Sequence, residues 1–240
     1  MSRIEHIGGA TLYLGDCREI IPTLPKVDAI VTDPPYEFDS QGGGIFLQRR
    51  SHMNAIRDGG LDRGFDHTLL SPSAANSVIC FCHNDQIHKL APWFAEQFDR
   101  YVLCQWHKEN PMPVANKHYK PDTEFYFHAW NAGSHPVGTL AEKNRYFLWP
   151  VGRTEFGHPT EKPLQLMQKI LRNVNGELIL DVFMGSGTTG VACAKLGRKF
   201  IGIEVDPKYF DIACRRVEAA HKQPDMFVQR PAPAKQEVLL

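Results

Sequence analysis

The run Val27-Asp28-Ala29-Ile30-Val31-Thr32 is apolar and β-branched for the length of one strand, and it ends in Asp33-Pro34-Pro35-Tyr36. Neither proline donates a backbone hydrogen bond, so a sheet ladder cannot continue past Thr32. A residue before proline is pushed out of the α region, which holds Asp33 and Pro34 extended. The outcome is a stiff bend at the carboxyl end of a buried strand, presenting a carboxylate, two carbonyls and a ring. In open α/β sheets that end of the strands is where ligands bind. A plain strand exit is the competing reading, since Pro-Pro also terminates strands.

These groups suit one chemistry. A planar exocyclic amine, as on adenine, is a poor nucleophile because its lone pair is delocalised into the ring. Asp33 and the Pro34 carbonyl can each accept one amino hydrogen and draw the nitrogen toward a pyramidal geometry. The Tyr36 ring can stack on the base, as aromatic residues do in pockets for flipped-out bases.

The 240 residues suffice for one α/β domain with a modest insertion. No run of about 18 apolar residues spans a membrane, and Met1–His6 lacks a signal peptide's apolar core. Cys17, Cys80, Cys82, Cys104, Cys193 and Cys214 show no zinc-like pairing, so a cytoplasmic protein with reduced thiols and no metal is expected. A formal net charge of zero argues against indiscriminate nucleic-acid binding. Basic residues do gather in two stretches, one holding Arg49 and Arg50 and the other Lys108, Lys117 and Lys120. Either is a phosphate-binding stretch or a solvated face.

In chain order, the pattern predicts strand Ala10–Leu14, a brief helix from Cys17 to Ile21 stopped by Pro22 and Pro25, and strand Val27–Thr32. Residues 37–66, glycine-rich and aperiodic, are expected to be a mobile substrate loop. A helix over His67–Ala75, strand Ser77–Cys82 and a helix over Gln86–Gln97 follow. Strands Tyr101–Trp106 and Glu124–Ala129 make an antiparallel hairpin around a loop that includes Lys108 and Asn110. Residues 131–157 are turn-rich. His158-Pro159-Thr160-Glu161-Lys162-Pro163 opens a helix to Val174, with Thr160 as a candidate N-cap and Pro163 in the first turn. Strand Leu178–Phe183, a helix to Leu196, strand Lys199–Val205 and a helix from Pro207 to His221 complete a domain of residues 1–222. Residues 223–240 read as a loose tail.

Met184-Gly185-Ser186-Gly187-Thr188-Thr189-Gly190 lies between a strand and a helix, with Glu204 at the end of the next strand. Glycines let backbone approach a ligand, helix-start N–H groups bind acceptors, and an acid one strand later suits ribose hydroxyls. No lysine follows the last glycine, so this is not a phosphate loop. Gly185-x-Gly187-x-x-Gly190 does fit the dinucleotide spacing, so the turn alone leaves NAD open.

The combination of Asp33-Pro34-Pro35-Tyr36, Asp181-Val-Phe183-Met-Gly185-Ser-Gly187 and the intervening His158–Pro163 element resembles the β class of amino-group DNA methyltransferases, from Leu12 to about Val217. The resemblance implies a permuted Rossmann-like fold: a mostly parallel seven-stranded sheet with one antiparallel hairpin strand and helices on both faces. It implies S-adenosylmethionine as cofactor, released as S-adenosylhomocysteine, and double-stranded DNA as partner. By resemblance, Phe183, Gly185, Ser186, Gly187, Thr188, Thr189 and Val205 line the cofactor, with Glu204 on its ribose. Asp16 and Cys17 sit near its adenine, and Asp181 orients the glycine turn. His158, Thr160 and Lys162 complete the methionine pocket, and Asp33 touches both methionine end and target amine. Asp33, Pro34, Pro35 and Tyr36 form the catalytic element, and Arg49, Arg50, Lys108, Asn110 and Lys117 contact DNA. A bacterial or phage-encoded enzyme acting on the nucleoid is implied.

The DPPY form points to adenine N6, whereas SPPY forms usually act on cytosine N4; the physics treats both amines alike. No Pro-Cys dipeptide of the carbon-5 cytosine enzymes is present. Before the His158–Pro163 element only residues 131–157 are available as a target-recognition segment. That shifts recognition to the Glu37–Asp66 and Trp106–Tyr119 loops, or predicts a short or degenerate site, or a homodimer that enlarges the DNA contact. An oxidoreductase would leave Asp33–Tyr36 idle. Methylation of RNA or a protein amide, and an inactive DNA-binding relative, are the rival readings.

Overall fold

The computed structural model describes residues 3–37, 64–111, 119–152 and 161–222. Among them the strands are β1 (Arg3–Ile7), β2 (Ala10–Leu14), β3 (Val27–Thr32), β4 (Ala75–Cys82), β5 (Arg100–His107), β6 (Thr123–Trp130), β7 (Tyr146–Leu148), β8 (Leu178–Asp181) and β9 (Lys199–Glu204). The α-helices are α1 (Cys17–Ile20), α2 (Ile87–Gln97), α3 (Leu164–Arg172), α4 (Thr188–Lys195) and α5 (Pro207–Lys222).

All nine strands join one sheet in the order β1-β2-β9-β8-β3-β4-β6-β5-β7. The stretch from β2 through β9, β8 and β3 to β4 is parallel throughout. β6 runs antiparallel to both β4 and β5, as the expected hairpin requires. Two strands were not expected, so the sheet has nine rather than seven. β1 pairs antiparallel with β2 and β7 pairs parallel with β5. β1 reads Arg-Ile-Glu-His-Ile and β7 has three residues, so neither carries enough apolar alternation to stand out alone.

Alternation along the strands sends side chains to two cores. Ala29, Val31, Ile79 and Phe81 face α3, α4 and α5, packing with Leu166, Ile170, Ala192 and Phe210. Ile30, Val78, Cys80 and Phe127 face α1 and α2, packing with Ile20, Leu90 and Phe94. Helices therefore cover both faces, as parallel strands demand. Asp28, the exposed charge of β3, accepts the amides of Glu177 and Leu178 at 2.8 Å each and anchors the start of β8.

Several boundaries differ from expectation. In place of a helix over His67–Ala75 there is a single 3-10 turn, His67–Leu70, because Ser71 precedes a proline and is extended. Pro163 is the N-cap of α3, one residue outside the first turn, and is itself extended. β8 stops at Asp181 because the Asp181 carboxylate takes the Phe183 amide at 3.2 Å. No helix among the described residues is long and apolar enough to cross a membrane.

Candidate active site

β3 and β8 are adjacent and parallel, so the proline bend and the glycine turn share one rim. The link is direct. Thr32 Oγ1 donates to Asp181 Oδ1 at 2.7 Å and Thr189 Oγ1 to Asp181 Oδ2 at 2.6 Å, tying β3, β8 and α4 through one buried carboxylate. Burial pushes that carboxyl up to about 6, although its three donors pull the other way.

The turn after β8 is built by backbone conformation and close packing. Gly185 and Gly187 have φ of 51° and 82°, in the left-handed region that glycine enters without strain. A Cβ on Gly187 would also stand 2.9 Å from Ala213 Cβ of α5, so a side chain is excluded twice over. Glu204 closes the turn: Oε2 accepts the Gly185 amide at 2.8 Å, and Oε1 accepts those of Val205 and Asp206 at 2.9 and 2.8 Å. Burial still raises its carboxyl above the ordinary range.

Beside this turn lies a cavity of about 530 Å³, within the range of small-molecule and cofactor sites. Asp16, Cys17, Phe183, Glu204 and Val205, all expected from sequence, line it together with Pro35. Asp16 also caps α1 through the Arg18 amide at 2.9 Å, and the Arg18 guanidinium holds its carboxyl below the usual range. Burial pushes the Cys17 thiol up to about 11, so it stays protonated and unreactive. Arg18, Gly64, Phe65, Asp66 and Leu69 line the cavity without having been anticipated. Phe65 packs edge-on against Phe183, with centroids 5.8 Å apart. Their signal was weak: residues 64–66 close an aperiodic, glycine-rich stretch, and nothing local distinguishes a wall from a linker.

Ser186, Thr188 and Thr189 belong to the turn without being cavity-lining residues. Arg216 of α5 donates to the Ser186 carbonyl and Oγ, both at 2.8 Å, and to Thr188 Oγ1 at 3.2 Å. The same guanidinium lies 2.5 Å from Glu161 Oε1, drawing the segment before α3 onto the turn. Sequence reasoning missed Arg216, which sits on an otherwise ordinary amphipathic helix.

At the proline bend, the Lys162 ammonium hydrogen-bonds Asp33 Oδ2 and lies 3.2 Å from Glu124 Oε2. Lys108 Nζ is 2.7 Å from Glu124 Oε1, and the Tyr36 hydroxyl, also beside Asp33, donates to Glu124 Oε2 at 3.4 Å. Lys162 sits 5.4 Å from the Tyr36 ring centroid and 4.9 Å from that of Phe81. Burial raises the Asp33 carboxyl above its ordinary value even though Lys162 lowers it. Burial likewise opposes ionisation of Glu124, but Lys162 and Lys108 outweigh it and bring that carboxyl to about 2. Burial also opposes the charge on Lys162, which Asp33 and Glu124 more than restore. Asp33 Oδ1, hidden from solvent, accepts no hydrogen bond of ordinary geometry among the described residues.

Of the residues read as DNA contacts, Lys108 is held by Glu124, and Asn110 braces Val151, accepting its amide at 2.6 Å and donating to its carbonyl at 3.3 Å. Arg49, Arg50, Lys117, His158 and Thr160 lie outside the described residues, as do most of 37–66 and all of 223–240. No group of three or more His, Cys, Asp or Glu placed to hold a metal occurs among the described residues.

Residues 27–215 match the family model described as DNA methylase. The chain is 29% identical to type II methyltransferase M.Cfr9I of Citrobacter freundii, over 88% of this chain and 89% of that protein. It is 31% identical to M.XycI of Xanthomonas campestris pv. cyanopsidis, over 53% of this chain and 49% of that one. The solved M1.HpyAVI–SAM complex superposes with a TM-score of 0.63 at 31% identity, covering 87% of this chain and 98% of its own. PvuII DNA methyltransferase (cytosine-N4-specific) gives a TM-score of 0.65 at 16% identity, over 88% of this chain and 86% of its own, a likeness of fold. A family model that takes in both the proline bend and the glycine turn decides the matter: the protein belongs to the DNA methylases, the family of N6 and N4 amino-group methyltransferases.

Proposed function

We propose that this DNA methyltransferase transfers a methyl group from S-adenosylmethionine to the N6 amine of an adenine flipped out of duplex DNA. The observation that carries the reading is the asymmetry of Asp33: Lys162 occupies Oδ2, while the buried Oδ1 accepts no hydrogen bond of ordinary geometry among the described residues. A buried acceptor without a donor is unfavourable by about 1–3 kcal/mol, and an incoming amine supplies the donor.

The cofactor's shape and chemistry fit the cavity. An aromatic wall of Phe65 and Phe183 suits an adenine ring. Asp16, Asp66 and Glu204 offer acceptors to its amine and hydroxyls, and Pro35 joins the cavity to the proline bend. S-adenosylmethionine brings an activated methyl on a sulfonium, so no covalent protein intermediate is needed.

The chain's own residues do the rest. Asp33 Oδ1 and the Pro34 carbonyl each accept one amino hydrogen, leaving the nitrogen lone pair exposed. The proton released as the nitrogen–carbon bond forms passes to Asp33 Oδ1. Lys162 favours the anionic form of Asp33 against the burial that raises its carboxyl, and orients it by holding Oδ2. Tyr36 borders the place of the base. Positioning and polarisation therefore supply most of the rate enhancement.

Adenine is supported by the DPPY form of the bend; the same acceptor pair serves cytosine N4 equally well. Labelled S-adenosylmethionine with unmethylated duplex DNA, digested to nucleosides and read by mass spectrometry, separates these. N6-methyldeoxyadenosine is expected. N4-methylcytidine in the deoxy pool would replace only the base, and no labelled nucleoside would overturn the reading. Asp33→Ala should abolish transfer, by at least about a thousandfold, while DNA affinity in a filter-binding titration stays close to native.

A further inference from the structure

The four charged groups at the proline bend do not share their hydrogen bonds evenly. Glu124 uses both oxygens: Oε1 is 2.7 Å from Lys108 Nζ, and Oε2 is 3.2 Å from Lys162 Nζ and 3.4 Å from the Tyr36 hydroxyl. Lys162 commits its ammonium to Asp33 and Glu124, with the Tyr36 and Phe81 rings on its remaining side. Among the described residues Asp33 alone of the four keeps an oxygen, Oδ1, that accepts no hydrogen bond of ordinary geometry, with the Tyr36 hydroxyl beside the carboxylate. All four side chains are at most 22% exposed, so these charges act on one another with little screening.

Two carboxylates and two ammoniums balance. Without Glu124, two ammoniums would face one carboxylate, and Asp33 would be over-neutralised or drawn onto both cations. Its Oδ1 would then be a weaker acceptor, or no acceptor at all. Glu124 is not needed to fill space, since Gln has the same shape.

We propose that Glu124 is a positioning residue for methyl transfer: by bridging Lys108 and Lys162 it confines Lys162 to Asp33 Oδ2 and leaves Oδ1 for the substrate amine. This rests on the function proposed above. It also gives Lys108 a task other than phosphate contact, namely steering Glu124 from the end of β5.

The test is Glu124→Gln, with Glu124→Asp as the variant that keeps the charge. Three quantities are read: methyl transfer to unmethylated genomic DNA, the cofactor dissociation constant, and the titration of the Asp33 carboxyl by carbon NMR in the free protein. The groups facing Asp33 are Lys162, Glu124, Tyr36, Cys80, Cys82 and Asp181, with Lys108 behind Glu124. Of these only Glu124 changes, and it raises the Asp33 carboxyl. In Glu124→Gln the Asp33 midpoint, and with it the acid limb of the rate profile, should therefore move to lower pH. The maximal rate should fall about tenfold or more, with cofactor affinity within about twofold, because Glu124 is not among the residues lining the cavity. Glu124→Asp should keep the midpoint near native and recover part of the rate.

A native maximal rate in Glu124→Gln, or an unmoved Asp33 midpoint, would overturn the proposal. Equal loss of cofactor affinity and rate would also overturn it, marking Glu124 as a general structural residue. A shifted midpoint in a protein whose native form methylates no DNA would overturn the function reading and leave the electrostatic arrangement standing.

Discussion

Asp181 shows how much one side chain can decide. Its carboxylate is the meeting point of β3, α4 and the glycine turn, through Thr32, Thr189 and the Phe183 amide. Its folded pKa of about 6 lies above the ordinary 3.8, so the folded state binds this proton more tightly than the unfolded chain. The associated stability is complete below about pH 4 and is lost as pH rises through 6. Asp181→Asn keeps the shape and removes the titration. Urea unfolding of both proteins from pH 4 to 7 should show the variant gaining on the native chain by about 1–3 kcal/mol across that window. Parallel stability curves would mean Asp181 is not the titrating group. Sequence reasoning singled out Asp181 by its motif, yet the partners that raise or lower its charge come from elements far along the chain. Glu124, by contrast, looked like any polar position of a half-buried strand.

Elements were legible where their ends carry strong local chemistry. The hairpin of β5 and β6, the amphipathic α2 and the long α5 all fall within a few residues of expectation. The two missed strands share one cause: β1 and β7 are edge strands whose pairing is won from neighbours and not from their own pattern. The helix expected over His67–Ala75 failed for another, the proline after Ser71. Helix α5 does more than cover the sheet, because its Arg216 joins the Glu161 segment to Ser186 and Thr188. Arg216→Met keeps most of the buried stem and removes the guanidinium. Both charged side chains of the Arg216–Glu161 pair are nearly buried, at 13% and 12% exposure. Its loss should lower stability by about 3 kcal/mol. Calorimetry should also show cofactor binding several-fold weaker, as the turn and the segment before α3 drift apart. Undisturbed binding would show that the turn holds its shape without α5.

For the molecule as a whole, the sheet is clamped between two apolar layers, and α3 carries part of the layer beneath the site. Leu166 is fully buried there, with 0% exposure, among residues of the sheet and α4. Leu166→Ala should cost about 2–5 kcal/mol, read as a lower urea midpoint with an unchanged slope. A larger loss of transfer than of stability is expected near the unfolding threshold, because α3 begins two residues after Lys162. A variant as stable as the native chain would show that this face of α3 is loosely packed.

The sequence by itself determined the local devices. Proline removes donors and fixes φ, and glycine opens the left-handed region, so the bend at Asp33 and the turn at Gly185–Gly187 follow from residue identity wherever the chain goes. Periodicity then set the layer order of an α/β protein. Only the tertiary structure decided which charges meet. Lys162 reaches Asp33 across 129 positions, and Glu124 and Arg216 enter from strands and helices with no motif of their own. Strand order and helix packing bring such groups within a few ångströms, and neither distance nor burial leaves a periodic trace in the chain. The same holds for Phe65, whose place on the cavity wall depends on Phe183 across the sheet rim.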